Sequence, residues 1–384
     1  MKENVLERME RIDAKRKIAD FQVKMKMDYD FKVKYAAIRA KEFYNECGKR
    51  NLNCHVSVGG LDSLTLLMFL RSIHIDIPAI SASFLEDPSI QKVHKQLGVE
   101  CLLPLKRDDG TYWTKPKVIQ EFGFPVLSKE IAAKIELLQN PSEKNKTVRH
   151  AIITGETGAY GGNQKNSRMK MSQKWLEKFG GADREGAALG YEKAPFKVSS
   201  KCCYYLKERP CDIWAKEHNS VPYLGLMASE GGRRAKSLKI NGCNYFGEST
   251  IRSAPFAIFQ RQDVLQLAID LNVPIPEIYG EIVRDSDGKL RTTGAQRTGC
   301  SMCGFGIHME NRPHRFDVLR QRRPNEWEHL MYHLCKDENG NDYGWGRVLD
   351  YIGIGWKDIP IECGGACDSC SVCNGKDSTN GTNG

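Results

Sequence analysis

The chain of 384 residues is 40% hydrophobic with a formal charge of +9, enough apolar material for a real core and not the composition of a disordered chain. No apolar run approaches the ~20 residues a membrane span needs, and the opening MKENVLERMERIDAKRK lacks the apolar stretch of a signal peptide. A cytoplasmic protein without membrane partners is expected, built as one elaborated domain or two at ~100–200 residues each.

Residues 1–50 read as helix, with no Pro and no Gly before Gly48. They hold 14 Lys/Arg against 9 Asp/Glu. A solvated helical face accounts for that charge; attraction to a polyanion such as a nucleotide or nucleic acid is the sharper account. Residues 53–58 form a β-prone run, followed by Gly59-Gly60-Leu61-Asp62-Ser63 and a helical stretch over 64–71. Further strands are expected over 78–84, 150–154 and 221–227, with a helix over 89–97. Strands separated by helical patterns predict βαβ units and a parallel sheet. The stretch 279–299 reads as a loop. Residues 313–352 read as helical, with Trp327, Leu330, Leu334 and Val348 as core.

The cysteines are unusual. The fourteen thiols belong to a compartment that disfavours disulfides, so clustered ones suggest metal binding or catalysis. The clusters are Cys202–Cys203, Cys300/Cys303 and Cys363/Cys367/Cys370/Cys373. Cys47, Cys54, Cys101, Cys211, Cys243 and Cys335 are isolated and read mostly as small buried hydrophobes.

Between a strand and a helix, Ser57-Val58-Gly59-Gly60-Leu61-Asp62-Ser63 offers close backbone approach, a helix N-terminus and the Ser63 hydroxyl to an anion. An ordinary strand-to-helix turn is the plain alternative. Four thiolates in two pairs, Cys202/Cys203 and Cys300/Cys303, suit a tetrahedral zinc or an iron–sulfur cluster. An adjacent pair fits the zinc-ribbon spacing poorly. Arg233 and Arg234 follow Gly-Gly after a strand, where open α/β sheets bind ligands. Guanidinium suits phosphate or sulfate there, and plain surface charge is the equal alternative.

These motifs together resemble the phosphoadenosine-phosphosulfate (PAPS) and adenylylsulfate reductase family, in its iron–sulfur branch of the PP-loop proteins. The loop matches SGGxDS except at Val58, and Leu61 stands where reductases often have Lys. Cys202-Cys203 is followed by Lys207 and Pro210 in the family's spacing, with Leu206 for the usual Arg. Gly299-Cys300-Ser-Met-Cys303 matches its second pair. Residues 225–234 resemble its substrate-binding segment with Glu230, Arg233 and Arg234. Residues 254–265 and 274–279 resemble two more, where Asp263 is read as a helix cap and Tyr279 as core closure. The likeness spans roughly residues 50–310.

The resemblance implies a parallel twisted sheet with helices on both faces, of the adenine nucleotide alpha hydrolase-like kind. Around that α/β domain, over 51–310, the residue pattern predicts a helical extension over 1–50, a helical region over 311–360 and a cysteine-rich tail over 361–384. The resemblance also implies a 4Fe–4S cluster on Cys202, Cys203, Cys300 and Cys303, with Lys207 beside cluster and substrate. Ser57, Gly59, Gly60, Asp62, Ser63, Glu230, Arg233 and Arg234 would bind an adenine nucleotide, either ATP or an adenylylated sulfate. Glu362-Cys363-Gly364 matches the family's nucleophilic segment, with Gly365-Ala366 where a bulky residue and His are usual. Cys363, Cys367, Cys370 and Cys373 also form a candidate second metal set or persulfide relay.

Three functions follow. The first is thiol-dependent reduction of adenylylated sulfate to sulfite, with a thioredoxin-like reductant. The second is ATP-dependent sulfur transfer to a nucleic acid, with a cysteine desulfurase as sulfur source. The third is a non-catalytic, cluster-bearing nucleotide-binding protein.

Overall fold

The computed structural model describes residues 5–301 and 303–357, without the side chains of residues 5–11, Ser83 and residues 232–234. The chain divides into two compact units, one through Gly306 and one from Ile307. No described helix is long and apolar enough to cross a membrane.

In the first unit, α1 (Val5–Met25) and α2 (Tyr29–Lys49) replace the single helix expected over 1–50. The break has a local cause. Asp28 is extended and its carboxylate accepts the Phe31 N–H at 2.7 Å, which caps α2. α2 is part of the core: Ala36, Ala40, Phe43 and Cys47 are fully buried. Buried Lys32 reaches Asp263 at 2.8 Å, and the Tyr223 hydroxyl donates to the Ala40 carbonyl at 2.7 Å.

The strands of this unit are β1 (Asn53–Ser57), β2 (Ala79–Ser81), β3 (Glu100–Cys101), β4 (Val126–Leu127), β5 (Ser220–Leu224), β6 (Asn244–Phe246), β7 (Ile251–Ser253), β8 (Ile282–Arg284), β9 (Leu290–Thr292) and β10 (Gly304–Phe305). The central sheet runs β3-β2-β1-β5-β7-β6, parallel throughout except for the β6–β7 pair. The protein is therefore α/β with a mostly parallel sheet. β1 leads first to β2 and β3 on one side, and the chain later returns to β5 and β7 on the other. The order reverses between β1 and β5, where Ser57 lies opposite Leu224. At such a reversal the loops at the strands' carboxyl ends part and leave a crevice. α3 (Leu61–Ser72) starts directly behind β1 and buries Leu64, Leu66, Leu67 and Leu70 beneath it.

The strand expected over 150–154 is instead the end of a helix, Lys146–Thr154. Its β-branched Ile152 and Ile153 are buried with Ala151. Gly155 then ends the helix in a left-handed conformation, φ 89°. Burial outweighed strand propensity. The expected loop over 279–299 contains the β8–β9 hairpin, whose turn is organised by the Asp285 carboxylate accepting the Asp287 and Lys289 N–H groups. Among the isolated cysteines, Cys47, Cys54, Cys243 and Cys335 are buried. Cys211 is half-buried, and Cys101 is exposed on the edge strand β3, against expectation.

In the second unit, the helical region expected over 313–352 is three helices, Arg315–Arg322, Pro324–Tyr332 and Trp345–Ile352. A hairpin of Cys335–Lys336 with Asp342–Tyr343 interrupts them. Trp327, Leu330, Leu334 and Val348 are buried as expected.

Candidate functional site

The glycine loop lies at the carboxyl end of β1, beside β5. Gly225, just past β5, packs tightly on the loop, and a Cβ there would stand 3.1 Å from the Ser63 backbone. Ser57 is the half-buried last residue of β1. The loop is closed on itself. The Ser63 hydroxyl, expected to face a ligand, accepts the Gly59 N–H at 2.7 Å and donates to the Gly60 carbonyl at 2.9 Å. Tyr279 closes the core as expected, at 3% exposure, and its hydroxyl also accepts the Leu61 N–H at 3.1 Å. Asp62 pairs with Arg261, which also donates to the Gln296 carbonyl at 3.2 Å. Burial raises the Asp62 carboxyl above the ordinary range, against the pull of Arg261 and Arg297. Glu230 lies on the turn after β5 and pairs with Arg297 at 3.5 Å.

The four cysteines come from two distant segments onto one pocket. Cys202 and Cys203, Cys300 and Cys303, Lys115 and Lys207 all line it, with Leu85, Pro125, Leu206 and Phe305. Local chemistry explains the first pair's setting. Pro210 has no N–H for the Leu206 carbonyl and its ring crowds that group, so the helix widens into a π turn over Tyr204–Glu208. The second pair sits in a turn closed by the Cys303 N–H on the Cys300 carbonyl at 3.1 Å. Ser301 donates to the Leu85 carbonyl at 3.2 Å, and β10 pairs with β4 just beyond. Among the described residues, no group of three or more His, Cys, Asp or Glu side chains is disposed to hold a metal ion.

Lys115 is the site residue that the sequence concealed. It opens the helix Lys115–Phe122, whose Phe122, with the preceding Trp113, packs on Tyr205 just after Cys202 and Cys203. The side chain is 1% exposed and donates to the Ser301 carbonyl, and no carboxylate pairs with it among the described residues. Burial opposes its charge, but the Cys300, Cys202 and Cys303 sulfurs outweigh burial and raise it above the usual lysine range. Burial pushes the Cys202 thiol up to about 12, with Lys115 pulling the other way. Cys203 is raised, chiefly by burial.

Two more residues join loop and pocket. Glu86, 6% exposed, pairs with Lys207. Lys207, half-buried, is held protonated by Cys300 and Glu86. His94, 2% exposed, meets the Gly59 carbonyl at 2.8 Å through Nε2, while its Nδ1 has no partner. Burial lowers its imidazole below the ordinary range. The loop and the pocket are thus one contiguous region, with Glu86 felt by Tyr279, His94 and Lys207 alike. It brings together one buried ammonium group, Lys115, one half-buried, Lys207, and a bank of thiols.

Arg233 and Arg234 open the helix Gly232–Asn241 behind β5; their side chains, and the cysteines Cys363, Cys367, Cys370 and Cys373, lie outside what is described. Nothing in the sequence near Lys115, Glu86 or His94 marks them, since each meets its partner only through the fold. No family model matches the chain, and no curated protein matches it.

Proposed function

We propose that this chain is an enzyme of the PAPS reductase kind, with the adenine nucleotide alpha hydrolase-like fold. It reduces an adenylylated sulfate to sulfite with thiol electrons. One observation carries the reading: the glycine loop at the β1–β5 reversal adjoins a pocket lined by Cys202, Cys203, Cys300, Cys303, Lys115 and Lys207.

What supports a 4Fe–4S cluster is the donor set. Neighbouring helical residues project ~100° apart at 3.6 residues per turn, so Cys202 and Cys203 suit a many-atom centre better than one tetrahedral ion. Lys115, fully buried without a carboxylate, fits a site whose resident group is anionic, because a lone buried charge is costly. A cluster held there would supply a charged centre beside the substrate's sulfate. Lys207 and the loop N–H groups would bind and orient the substrate anion.

The thiol step belongs to Cys363. Its thiolate attacks the sulfate sulfur, an S–S bond forms, and the S–O bond to the nucleotide phosphate breaks with its electron pair. The adenosine phosphate leaves and the enzyme holds a thiosulfonate. A dithiol reductant of the thioredoxin kind then attacks Cys363 Sγ and expels sulfite; its second thiol closes its own disulfide and restores Cys363. Purified protein given labelled adenylylsulfate, PAPS or ATP is the test. Sulfite release that Cys363→Ser eliminates, with nucleotide binding intact, is the expected result. Pyrophosphate release without sulfite would overturn it.

A second reading, ATP-dependent sulfur transfer to a nucleic acid, draws on the surface. Tyr160 is 108% exposed on an ordered Gly-rich loop whose Thr157 hydroxyl accepts the Gln164 N–H and donates to the Gly161 carbonyl, both at 2.9 Å. Residues 140–178 around it hold eight Lys/Arg against three Asp/Glu. An exposed aromatic among cations suits stacking on an unpaired base. Pyrophosphate release dependent on added single-stranded nucleic acid would favour this reading.

A further inference from the structure

The Tyr279 hydroxyl stands at a junction. It accepts the Leu61 N–H at 3.1 Å and meets Thr298 Oγ1 at 2.7 Å. A Cβ on Gly60 would lie 2.3 Å from that hydroxyl and 3.1 Å from Thr298 Oγ1. Glycine at 60 therefore makes room for this hydroxyl pair as well as for an anion. Leu61 is the first residue of α3, so its N–H is one of the donors a helix start leaves free for a ligand. Here the chain itself has taken it.

The other end of the junction leads to the cysteines. Thr298 precedes Cys300 by two residues, and the Cys300 carbonyl closes the turn that carries Cys303. Tyr279 is clamped in turn, because its carbonyl accepts the Gly294 N–H at 2.9 Å and its own N–H donates to the Pro276 carbonyl at 2.9 Å. Gly294 has no space for a side chain, since a Cβ would meet the Ile278 carbonyl at 2.5 Å. Tyr279 is thus backed by a rigid segment and touches both the loop and the approach to Cys300.

We propose that Tyr279 and Thr298 are positioning residues that latch the nucleotide loop to the Cys300–Cys303 turn, occupying the Leu61 N–H until a phosphate displaces them. The proposal rests on the nucleotide-loop reading above. The N–H cannot serve both acceptors fully. A phosphate oxygen forms the stronger, charge-assisted bond, so displacement is favourable but weakened by the bond it breaks. The released hydroxyl keeps only Thr298, and the Thr298–Cys303 segment loses its tie to the loop. Coupling of this kind is reciprocal: whatever holds the cysteine turn in place also biases nucleotide affinity.

The test uses the full chain, purified without oxygen, with ATP and adenylylsulfate as probes in calorimetry. Hydrogen exchange is followed in the peptide covering Gly299–Cys303. Tyr279→Phe should tighten nucleotide binding by about three- to tenfold, the equivalent of one competing neutral hydrogen bond. Thr298→Val should leave affinity within about twofold yet abolish the nucleotide-induced rise in exchange seen in the unaltered protein. A merely structural Tyr279 would give weaker binding, not tighter. The latch is overturned if the unaltered protein binds nucleotide and Tyr279→Phe binds it equally or more weakly. It is overturned as well if nucleotide leaves exchange at Gly299–Cys303 unchanged. Should Tyr279→Phe not fold, the Thr298→Val arm decides alone. If neither nucleotide binds any of the three proteins, the nucleotide-loop reading fails and the latch falls with it.

Discussion

The two ends of the central sheet handle buried polar groups in opposite ways. At the amino end, buried His55 and Trp214 are satisfied by the chain. His55, 2% exposed, bonds Ser220 Oγ at 2.8 Å and lies edge-on to Trp214. Trp214 stacks on His218 with ring centroids 4.0 Å apart and donates to Glu100 at 3.1 Å. At the exposed rim, Asn53 donates to the His218 carbonyl and Asn219 to the Asn51 carbonyl, both at 2.8 Å. At the carboxyl end, capacity is left over. Lys115 is buried without a carboxylate, and His94 Nδ1 has no partner. Unsatisfied buried polarity is expensive, so it persists where a ligand completes it. The amino end builds the fold; the carboxyl end carries the proposed site.

The sharpest way to break that contrast is to empty the carboxyl end. Anaerobically purified protein should be brown and hold about four iron and four labile sulfide per chain. Cys203→Ser or Cys300→Ser should remove the colour entirely. Stoichiometric zinc in a colourless protein would refute the cluster.

The amino end should show itself through pH. Burial holds the His55 imidazole down at about 4, from an ordinary 6.5. The folded chain therefore resists a proton that the unfolded chain accepts. The associated stability is complete above the unfolded value and is lost as pH falls from about 6.5 toward 4, by up to about 3 kcal/mol. Urea unfolding of His55→Phe beside the unaltered chain should show the latter losing stability more steeply across that window. Parallel curves would contradict the assignment.

A ligand at about 100 times its Kd adds about 2.7 kcal/mol to the folded state. In a domain of this size that is a melting shift of several degrees. Adenine nucleotide should give such a shift, and Asp62→Ala, which also frees Arg261, should erase it. No shift with ATP or any adenylylsulfate would remove the nucleotide from the carboxyl end.

The smallest effect tests the contrast most directly. Lys115→Met should leave the iron-free chain within about 1 kcal/mol of the unaltered stability, because losing the burial cost of the ammonium offsets losing the pull of the cysteine sulfurs. The same change should lower iron occupancy. A destabilised iron-free chain would mean that Lys115 serves the fold, as the polar groups of the amino end do.

Short-range chemistry was legible without a structure. A glycine loop between strand and helix, paired cysteines and a following proline are all local signals. Each depends on backbone freedom, thiol spacing or a missing N–H within a few residues. The alternation of strands and helices likewise announced a parallel sheet. Local signals also misled: Ile152 and Ile153 carry strand propensity, yet burial on a helix face decided their state. The sheet's order, and with it the reversal at β1 and β5, came only from tertiary pairing. So did the meeting of Lys115 with Ser301 and of Lys207 with Glu86, partners 186 and 121 positions apart. Tyr279 could be read as core because an aromatic after Ile-Pro fits that role. That its hydroxyl would take the Leu61 N–H, 218 positions away, no local pattern encodes. Hydrogen bonds at such separations are set by how elements pack, and packing is a property of the whole chain.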